Sequence, residues 1–400
     1  MRRTHRPTGT QVWSAARAAR TGATAVMRVA IVAGASAAVA VVAAGVVAVP
    51  VAEAQQRSPT PAAGIRVLPL RGNIYMLQGA GGNITVSIGR DGVLLVDAGS
   101  AQMSDQVVAT IRQLQADLDL REQPLAWGSE TKSTIAGRHT EAPPKPIRYI
   151  INTQSHSDHA GGNEAIRGAG RTFTGGNVAG NIADAGEGAA ILAHEQVLER
   201  LSRAEAGRPA VPTDGQPTDT YYSNIMNLSH FFNGEGVQLI HQPSAHSDGD
   251  SLVYFRGSDV IAAGDIFLTT SYPMIDRSRG GTIDGVIAGL NRILDLAVPE
   301  FRTEGGTLVV PGHGRLSDSA DVAYYRDMVT IIRDRVKDMV TKEMTLEEVK
   351  AAKPTADYEA RYGSTTGAWT TDMFLEATYT SLGGGRTPPP RAPRRRSPAR

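Results

Sequence analysis

The sequence contains no cysteine among its 400 residues. Disulfides are therefore excluded, and so is a thiolate that acts as a nucleophile or as a metal ligand. Any metal site must be built from histidine, carboxylate or amide oxygen. The chain also lacks a strong charge of either sign, because 41 Lys and Arg against 40 Asp and Glu leave a net charge of +1. This balance argues neither for nor against an acidic partner.

Acidic residues are also missing from residues 2–28, which are basic and precede a nearly continuous apolar run over residues 29–52. The run ends in Ala52-Glu53-Ala54, an A-x-A pattern that is typical of a signal-peptide cleavage site. We therefore expect residues 1–54 to be a leader that is cleaved after Ala54, which gives a periplasmic or secreted protein. The alternative is an uncleaved, membrane-anchored chain, since the run is long enough to span a bilayer. Met27, directly before this region, is an alternative start.

The rest of the chain divides by composition into a linker, a domain, an extension and a tail. The boundaries that we predict are a linker at 55–64, a folded domain at 65–355, a C-terminal extension at 356–382 and an Arg- and Pro-rich tail at 383–400. The tail cannot bury apolar surface and is expected to be disordered. We expect a solvated appendage and no nucleic-acid partner, with transient membrane contact through the leader alone.

Strand-like and helix-like segments occur in two batches. Strand-like runs lie at 65–70, 73–79, 83–89, 92–99, 146–153, 237–243, 251–257, 259–265 and 306–314. Asp91-Gly92 predicts a hairpin turn. Helical spacing is present at 100–118, with Ser100 as N-cap, and at 164–168, 188–203, 283–296, 322–344 and 345–352. Residues 206–236 have the composition of a long loop. Two batches of strands, each with helices, favour a mixed α/β fold built as a four-layer αββα sandwich.

A cluster of polar residues follows the strand-like run 146–153. It reads Gln154-Ser155-His156-Ser157-Asp158-His159, with a Gly pair close behind. In an extended loop, alternate side chains point the same way, so Gln154, His156 and Asp158 are expected to converge beside His159. Imidazole nitrogen and carboxylate oxygen are ligands for zinc and similar divalent ions.

Three further polar residues stand at the ends of predicted strands, next to glycine or other small residues. They are His246 in PSAHSDGD, Asp265 in DVIAAGD and His313 in VVPGHG. Together with QSHSDHAGGN, their order and spacing resemble the metallo-β-lactamase fold superfamily, whose signature is H-x-H-x-D-H followed by a His, an Asp in many hydrolases, and a last His. Gly81–Val86 and Val96–Gly99 are also similar to the N-terminal strands of that family.

The resemblance implies a site with two metal ions. His156 and His246 would bind the first metal, with Gln154 as a third ligand. The second would be held by Asp158, His159 and His313. Asp265 would bridge the two metals, and Asp97 would orient the site.

The chain departs from the family pattern at two positions. Gln154 stands where the family usually has His, and an amide oxygen is a weaker zinc ligand than imidazole, so the first metal is expected to be held loosely. Metallo-β-lactamases typically have Cys or Ser at the position of Asp265, which makes this chain more similar to the wider hydrolases of the superfamily.

The resemblance implies a hydrolase that uses a metal-bound hydroxide on an amide or ester carbonyl of a small molecule, with a β-lactam among the candidates, and the leader predicts that it is exported. The metal is expected to be Zn²⁺, two ions per chain, although iron or manganese would suit the same ligands. Asp158 is the expected proton-handling residue. Two alternatives stay open: a thioester, lactone or phosphoester hydrolase of the same fold, and a non-catalytic periplasmic metal-binding or relay protein. The sequence leaves the substrate and the oligomeric state undetermined.

Overall fold

The computed structural model describes residues 64–120, 144–172, 188–204, 209–298, 300 and 305–385. The leader, nearly all of the linker, most of the tail and residues 121–143 lie outside these ranges. Within the described residues, no helix combines the length and the apolar character that a membrane span requires.

Two sheets form the centre of the molecule. The first has seven strands in chain order: β1 (Arg66–Arg71), β2 (Ile74–Ala80), β3 (Gly82–Gly89), β4 (Gly92–Val96), β5 (Ile147–Ile151), β6 (Ala190–His194) and β7 (Asp219–Tyr221). The second has six strands in the order β13 (Ser317–Asp318), β12 (Leu308–Val310), β11 (Val260–Ala262), β10 (Asp250–Phe255), β9 (Val237–Gln242) and β8 (Ile225–Asn227). Strands β4 to β7 are parallel, and so are β11 and β12.

Helices cover the outer faces of the sheets. They are α1 (Ser104–Asp117), α2 (Ser157–Ala160), α3 (Asn163–Gly168), α4 (Glu195–Ser202), α5 (Ile283–Leu296), α6 (Ser319–Thr341), α7 (Leu346–Ala351), α8 (Glu359–Tyr362) and α9 (Thr371–Ser381). Residues of the predicted C-terminal extension belong to the same core, because Phe374 of α9 stacks on Tyr272 with ring centroids 4.8 Å apart.

The alternation of side chains along the strands builds the layers. Leu94 and Val96 of β4 face the second sheet, in the same apolar cluster as Val253 of β10. Val93 and Leu95, one residue out of step, belong to the cluster that includes Val107 and Ile111 of α1. Because successive side chains of a strand point to opposite faces, each sheet buries one face against the other sheet and one against helices. The predicted αββα sandwich is therefore confirmed.

Local details differ from the sequence predictions at three places. Residues 190–194 form β6 and not the first turns of a helix, because this short, buried, apolar run pairs in parallel with β5 and β7. Ser100 does not cap α1; its hydroxyl donates to the carbonyl of Ala80, and a 3₁₀ turn over Ala101–Met103 precedes the helix. The loop predicted at 206–236 contains β7 and β8, which extend one sheet each.

Two histidines outside the predicted metal site form a stacked pair on β6 and β9. The rings of His194 and His241 are nearly parallel, at 8°, with centroids 3.6 Å apart, and the Tyr221 ring lies edge-on to His194. Burial lowers the pKa of His194 to about 4, with a further contribution from His241 that the carboxylate of Asp248 opposes only in part. His194 is therefore neutral in the folded protein at pH values where it is protonated in the unfolded chain.

This pair predicts a pH-dependent loss of stability. Between pH 6.5 and about 4 the unfolded chain binds a proton at His194 that the folded chain does not bind, so the free energy of unfolding falls as the pH falls. The contribution is up to about 3 kcal/mol. His194→Asn keeps an acceptor for the backbone of Gln196 and removes the titration.

Urea unfolding at several pH values, with a chelator present throughout, measures this effect. The difference in unfolding free energy between the wild type and His194→Asn should change between pH 7 and pH 4.5. His230→Asn, at an exposed position, is the matched control and should follow the wild type. The same pH dependence in wild type and His194→Asn would contradict the assignment.

Candidate metal centre

The polar cluster lies where strands from both sheets end at one edge. Residues 152–159 follow β5, Asp97 follows β4, Asp265 follows β11 and His313 follows β12, while His246 lies in the turn between β9 and β10. The carboxyl ends of parallel strands meet at the same edge of a sheet, which brings residues that are distant in sequence together.

The loop after β5 is fixed by buried hydrogen bonds to the end of β4. Asp97 accepts from the backbone N–H and the hydroxyl of Thr153, each at 2.8 Å, and its Oδ2 lies 2.8 Å from His159 Nδ1. Asp97 has φ of 67°, a left-handed conformation in which Asp is more frequent than most residues. This carboxylate therefore ties the two strand ends to a single arrangement.

The expectation of an extended loop through residues 154–159 is wrong in part. His156 has an extended conformation at the position just before α2, and Asp158 and His159 lie within that short helix. The helical turn directs His156 to one side of the cluster and Asp158 and His159 to the other. Two separate groups of ligand atoms result.

These two groups each contain three side chains whose potential ligand atoms lie within 4.8 Å of one another. The first metal group is His156, His246 and Asp265, and the second metal group is Asp158, His159 and His313. They are the residues that the resemblance assigned to the first and second metals. Their roles as ligands remain predictions.

Asp265 lies between the two groups. Its Oδ1 is 3.2 Å from His159 Nε2 and 3.6 Å from His313 Nε2, and its Oδ2 is 3.9 Å from His246 Nε2. The side chain is only 2% exposed. One carboxylate oxygen thus faces each side, as expected of a bridging residue.

Several polar atoms in the cluster are buried and have no hydrogen-bond partner among the described residues. They are His156 Nδ1, His159 Nε2, His246 Nε2 and Asp265 Oδ1. A buried polar atom without a partner costs about 1–3 kcal/mol, so a set of such atoms facing one another needs an explanation. A divalent cation at each of the two groups would satisfy them, and the nitrogen and oxygen donors suit zinc, iron or manganese. The residues therefore fit the metal that the sequence implied.

Each of these three histidines contacts a carboxylate through its other ring nitrogen. His159 Nδ1 is 2.8 Å from Asp97, His156 Nε2 is 3.1 Å from Asp276, and His246 Nδ1 is 3.2 Å from Asp250. Such a carboxylate holds the ring proton on its own side and leaves the opposite nitrogen as a lone-pair donor, as is usual for metal-binding histidines.

Sequence reasoning named Asp97 and missed Asp250 and Asp276. Asp250 is four residues from His246 within HSDGD, so the local sequence carried a signal. Asp276 is 120 residues from His156, and no pattern connects the two. Asp276 is held in turn by Arg279, whose backbone N–H donates to Asp276 Oδ1 and whose guanidinium donates to the Ser155 hydroxyl.

The electrostatics keep Asp265 negatively charged. Burial raises the pKa of this carboxyl, but His159, His246 and His313 outweigh burial and hold the pKa far below its usual range. Burial lowers the pKa of His159, yet Asp265 and Asp97 outweigh it and raise that pKa well above the usual value. Protons and a metal ion would therefore compete for the same His159 nitrogen.

Gln154 is buried beside Asp265 and uses both ends of its amide. Its Nε2 donates to Asp265 Oδ2 at 2.7 Å, and its Oε1 accepts from the backbone N–H of His156 at 3.0 Å. The structure thus brings all seven predicted residues to the centre. Gln154 contacts the carboxylate through its nitrogen, whereas the predicted metal ligand was its oxygen.

The structure is an αββα sandwich with two groups of His and Asp side chains that could hold metal ions at one sheet edge. Residues 77–319 match the family model of the metallo-beta-lactamase superfamily. The chain belongs to this superfamily, whose members are metallo-hydrolases. The sequence-based recognition of the family is confirmed.

Similar solved structures include two metallo-beta-lactamases and a sulfatase. The enzyme from Pontibacter korlensis is 12% identical, over 66% of this chain and 99% of that chain, with a TM-score of 0.44. The DIM-1 metallo-beta-lactamase is 14% identical, over 67% and 97%, with a TM-score of 0.44. The sec-alkylsulfatase Pisa1 from Pseudomonas sp. is 15% identical, over 80% of this chain and 51% of that chain, with a TM-score of 0.50. Likeness at such identities extends to the fold alone. No curated protein sequence matches the chain.

Gly82 provides a test of the second metal group. A Cβ at this position would lie 2.7 Å from His159 Cε1, so Gly82→Ala should displace the imidazole. We expect metal affinity to fall by about 10- to 100-fold, the range found when groups that orient a ligand are lost. Chelator competition with Zn²⁺ measures the change.

Gly168→Ala is the matched control, because a Cβ there meets no atom within 4 Å. This variant should bind metal like the wild type. Wild-type affinity in Gly82→Ala, with the fold intact by circular dichroism, would show that His159 does not hold the metal.

Proposed function

We propose that the chain is an exported metal-dependent hydrolase that acts on an amide or ester carbonyl of a small molecule, with β-lactam rings among the candidates. The observation that supports this best is the set of unpartnered imidazole and carboxylate atoms at one sheet edge. The centre also has an open side: Asp158 is 37% exposed and His313 33%, whereas His159 and His246 are fully buried. Buried ligand residues on one side and solvent-accessible ligand residues on the other suit a site that must admit a substrate.

The chemistry divides between a bound metal and the side chains around it. A divalent ion held by these residues would polarise a substrate oxygen and lower the pKa of water to about 7. Zn²⁺ at both groups is our proposal, and iron or manganese would fit the same donors. Asp97, Asp250 and Asp276 orient the three histidines.

Asp158 is the residue that we propose to handle a proton. Its Oδ2 lies 3.1 Å from His313 Nε2, on the open side of the centre. Burial raises the pKa of Asp158, but the hydrogen bond to His313 and the nearby His159 outweigh it, and the net effect is a lowered pKa. The carboxylate is therefore ionised at neutral pH and suited to accept a proton and pass it to a leaving group.

The test is hydrolysis by the purified, zinc-loaded protein of a panel of chromogenic β-lactams, esters, thioesters, lactones, phosphoesters and sulfate esters. Asp158→Asn should reduce kcat by at least about 100-fold on any substrate that the wild type cleaves. Asp295→Asn, at an exposed position on α5, should leave kcat unchanged. Metal content is measured for each variant.

Two outcomes would contradict parts of this proposal. Full turnover by Asp158→Asn at unchanged metal content would remove Asp158 from the reaction. Metal binding by the wild type without hydrolysis of any substrate in the panel would favour the non-catalytic metal-binding or relay function instead.

Export rests on the sequence of the leader, and the test is the mass and N-terminal sequence of the protein made with its full leader. We expect a mature chain that starts at Gln55 in the periplasmic or secreted fraction. A chain that retains residues 29–52 and is recovered with membranes would contradict cleavage and show that the protein is anchored.

A further inference from the structure

We propose that Gln154 is a positioning residue that makes the two metal positions unequal. Its amide N–H holds the oxygen of Asp265 that faces the first metal group, which leaves the second metal group as the strong position. The inference rests on the metal centre of the proposed function, but it does not require turnover.

The orientation of the Gln154 amide follows from its two partners. The backbone N–H of His156 can only donate and the ionised carboxylate of Asp265 can only accept. A flipped amide would put two donors together on one side and two acceptors on the other. The amide therefore presents its nitrogen to Asp265, and its oxygen is occupied by the backbone. Gln154 is 1% exposed, so water does not compete for these two hydrogen bonds.

The hydrogen bond divides the donors of Asp265 asymmetrically. Oδ2, toward the first metal group, accepts from the Gln154 amide at 2.7 Å, while Oδ1 faces a potential metal ligand, His159 Nε2, at 3.2 Å. Oδ1 lies near His159 and His313 of the second metal group. Oδ1, the oxygen of Asp265 that Gln154 does not contact, is therefore directed to the second position.

The two positions differ in the number of ligand atoms available to a metal ion, and so in their expected affinity. The second offers Asp158 Oδ2, His159 Nε2 and His313 Nε2, and Asp265 Oδ1 lies 3.2 Å and 3.6 Å from the two nitrogens, so four donor atoms, the number that zinc usually takes, stand on this side. The first offers His156 Nδ1 and His246 Nε2, together with an Asp265 oxygen whose lone pairs are already partly used by an N–H. We therefore expect the first position to bind metal at least about 10-fold more weakly than the second.

This role and a direct ligand role for Gln154 predict opposite results for Gln154→Ala. If the Gln154 oxygen bound the first metal, its removal would weaken the first position. If the Gln154 N–H restrains Asp265, its removal frees Oδ2 for the first metal, and the two dissociation constants should approach each other by about 10-fold. Gln154→His removes the restraint and adds an imidazole, so it should strengthen the weak position further.

The experiment is a titration of the metal-free protein with Zn²⁺ against a chromophoric chelator, supported by metal content after gel filtration. For the wild type we expect one tight equivalent and one weaker equivalent. His156→Ala and His313→Ala, at comparable exposures of 19% and 33%, assign the two. The tight equivalent should survive in His156→Ala and be lost in His313→Ala.

Three results would overturn the inference: equal affinity for two ions in the wild type, loss of the weaker equivalent in Gln154→Ala, or loss of the tight equivalent in His156→Ala but not in His313→Ala. Circular dichroism checks the fold of each variant. If Gln154→Ala does not fold, Gln154→His serves as the test. Dissociation constants in Gln154→His equal to those of the wild type would overturn the inference. Unequal metal positions without turnover would contradict the hydrolase proposal alone, whereas turnover with equal positions would contradict this inference alone.

Discussion

The buried negative charge of Asp265 is the constraint on which the rest of the centre depends. An isolated carboxylate in a protein interior is unfavourable unless cations or hydrogen-bond donors surround it. Here three histidines and the Gln154 amide supply that environment. Space is limited as well, because a Cβ at Gly312 would lie 2.1 Å from Asp265 Oδ1. The glycine of the PGHG turn is thus required so that the chain carrying His313 can approach this carboxylate.

The centre also joins the two sheets. Each metal group takes side chains from the loop after β5 in the first sheet and from strand ends of the second sheet, so a bound ion would link the two layers. Asp97 fixes the first-sheet side, and the Ser155, Asp276 and Arg279 contacts connect that loop to the segment before α5. Metal binding at these groups would therefore stabilise the sandwich, since ligands that bind only the folded state stabilise it.

The sequence predicted the layers and the clustering of His156, Asp158 and His159 correctly, because each rests on a local pattern. The strands are recognisable by alternation or by short apolar runs between turn residues, and His156, Asp158 and His159 lie within four residues of one another. The strand β6 was predicted as helix because AILAH is too short for periodicity to decide, and pairing with β5 decides instead. Asp276 and the orientation of the Gln154 amide could not be predicted, since both depend on contacts more than 100 residues apart in sequence.

The ranking of the metal positions agrees with their exposure. The second group includes the two most accessible side chains of the set, Asp158 and His313, whereas in the first group His156 is 19% exposed and His246 is fully buried. If the strong position were the enclosed one, the accessible donors would be left to a weakly held ion that solvent could remove. Under the ranking that we propose, the ion nearest to an incoming substrate would be the one best retained, and Gln154 would weaken the less accessible position.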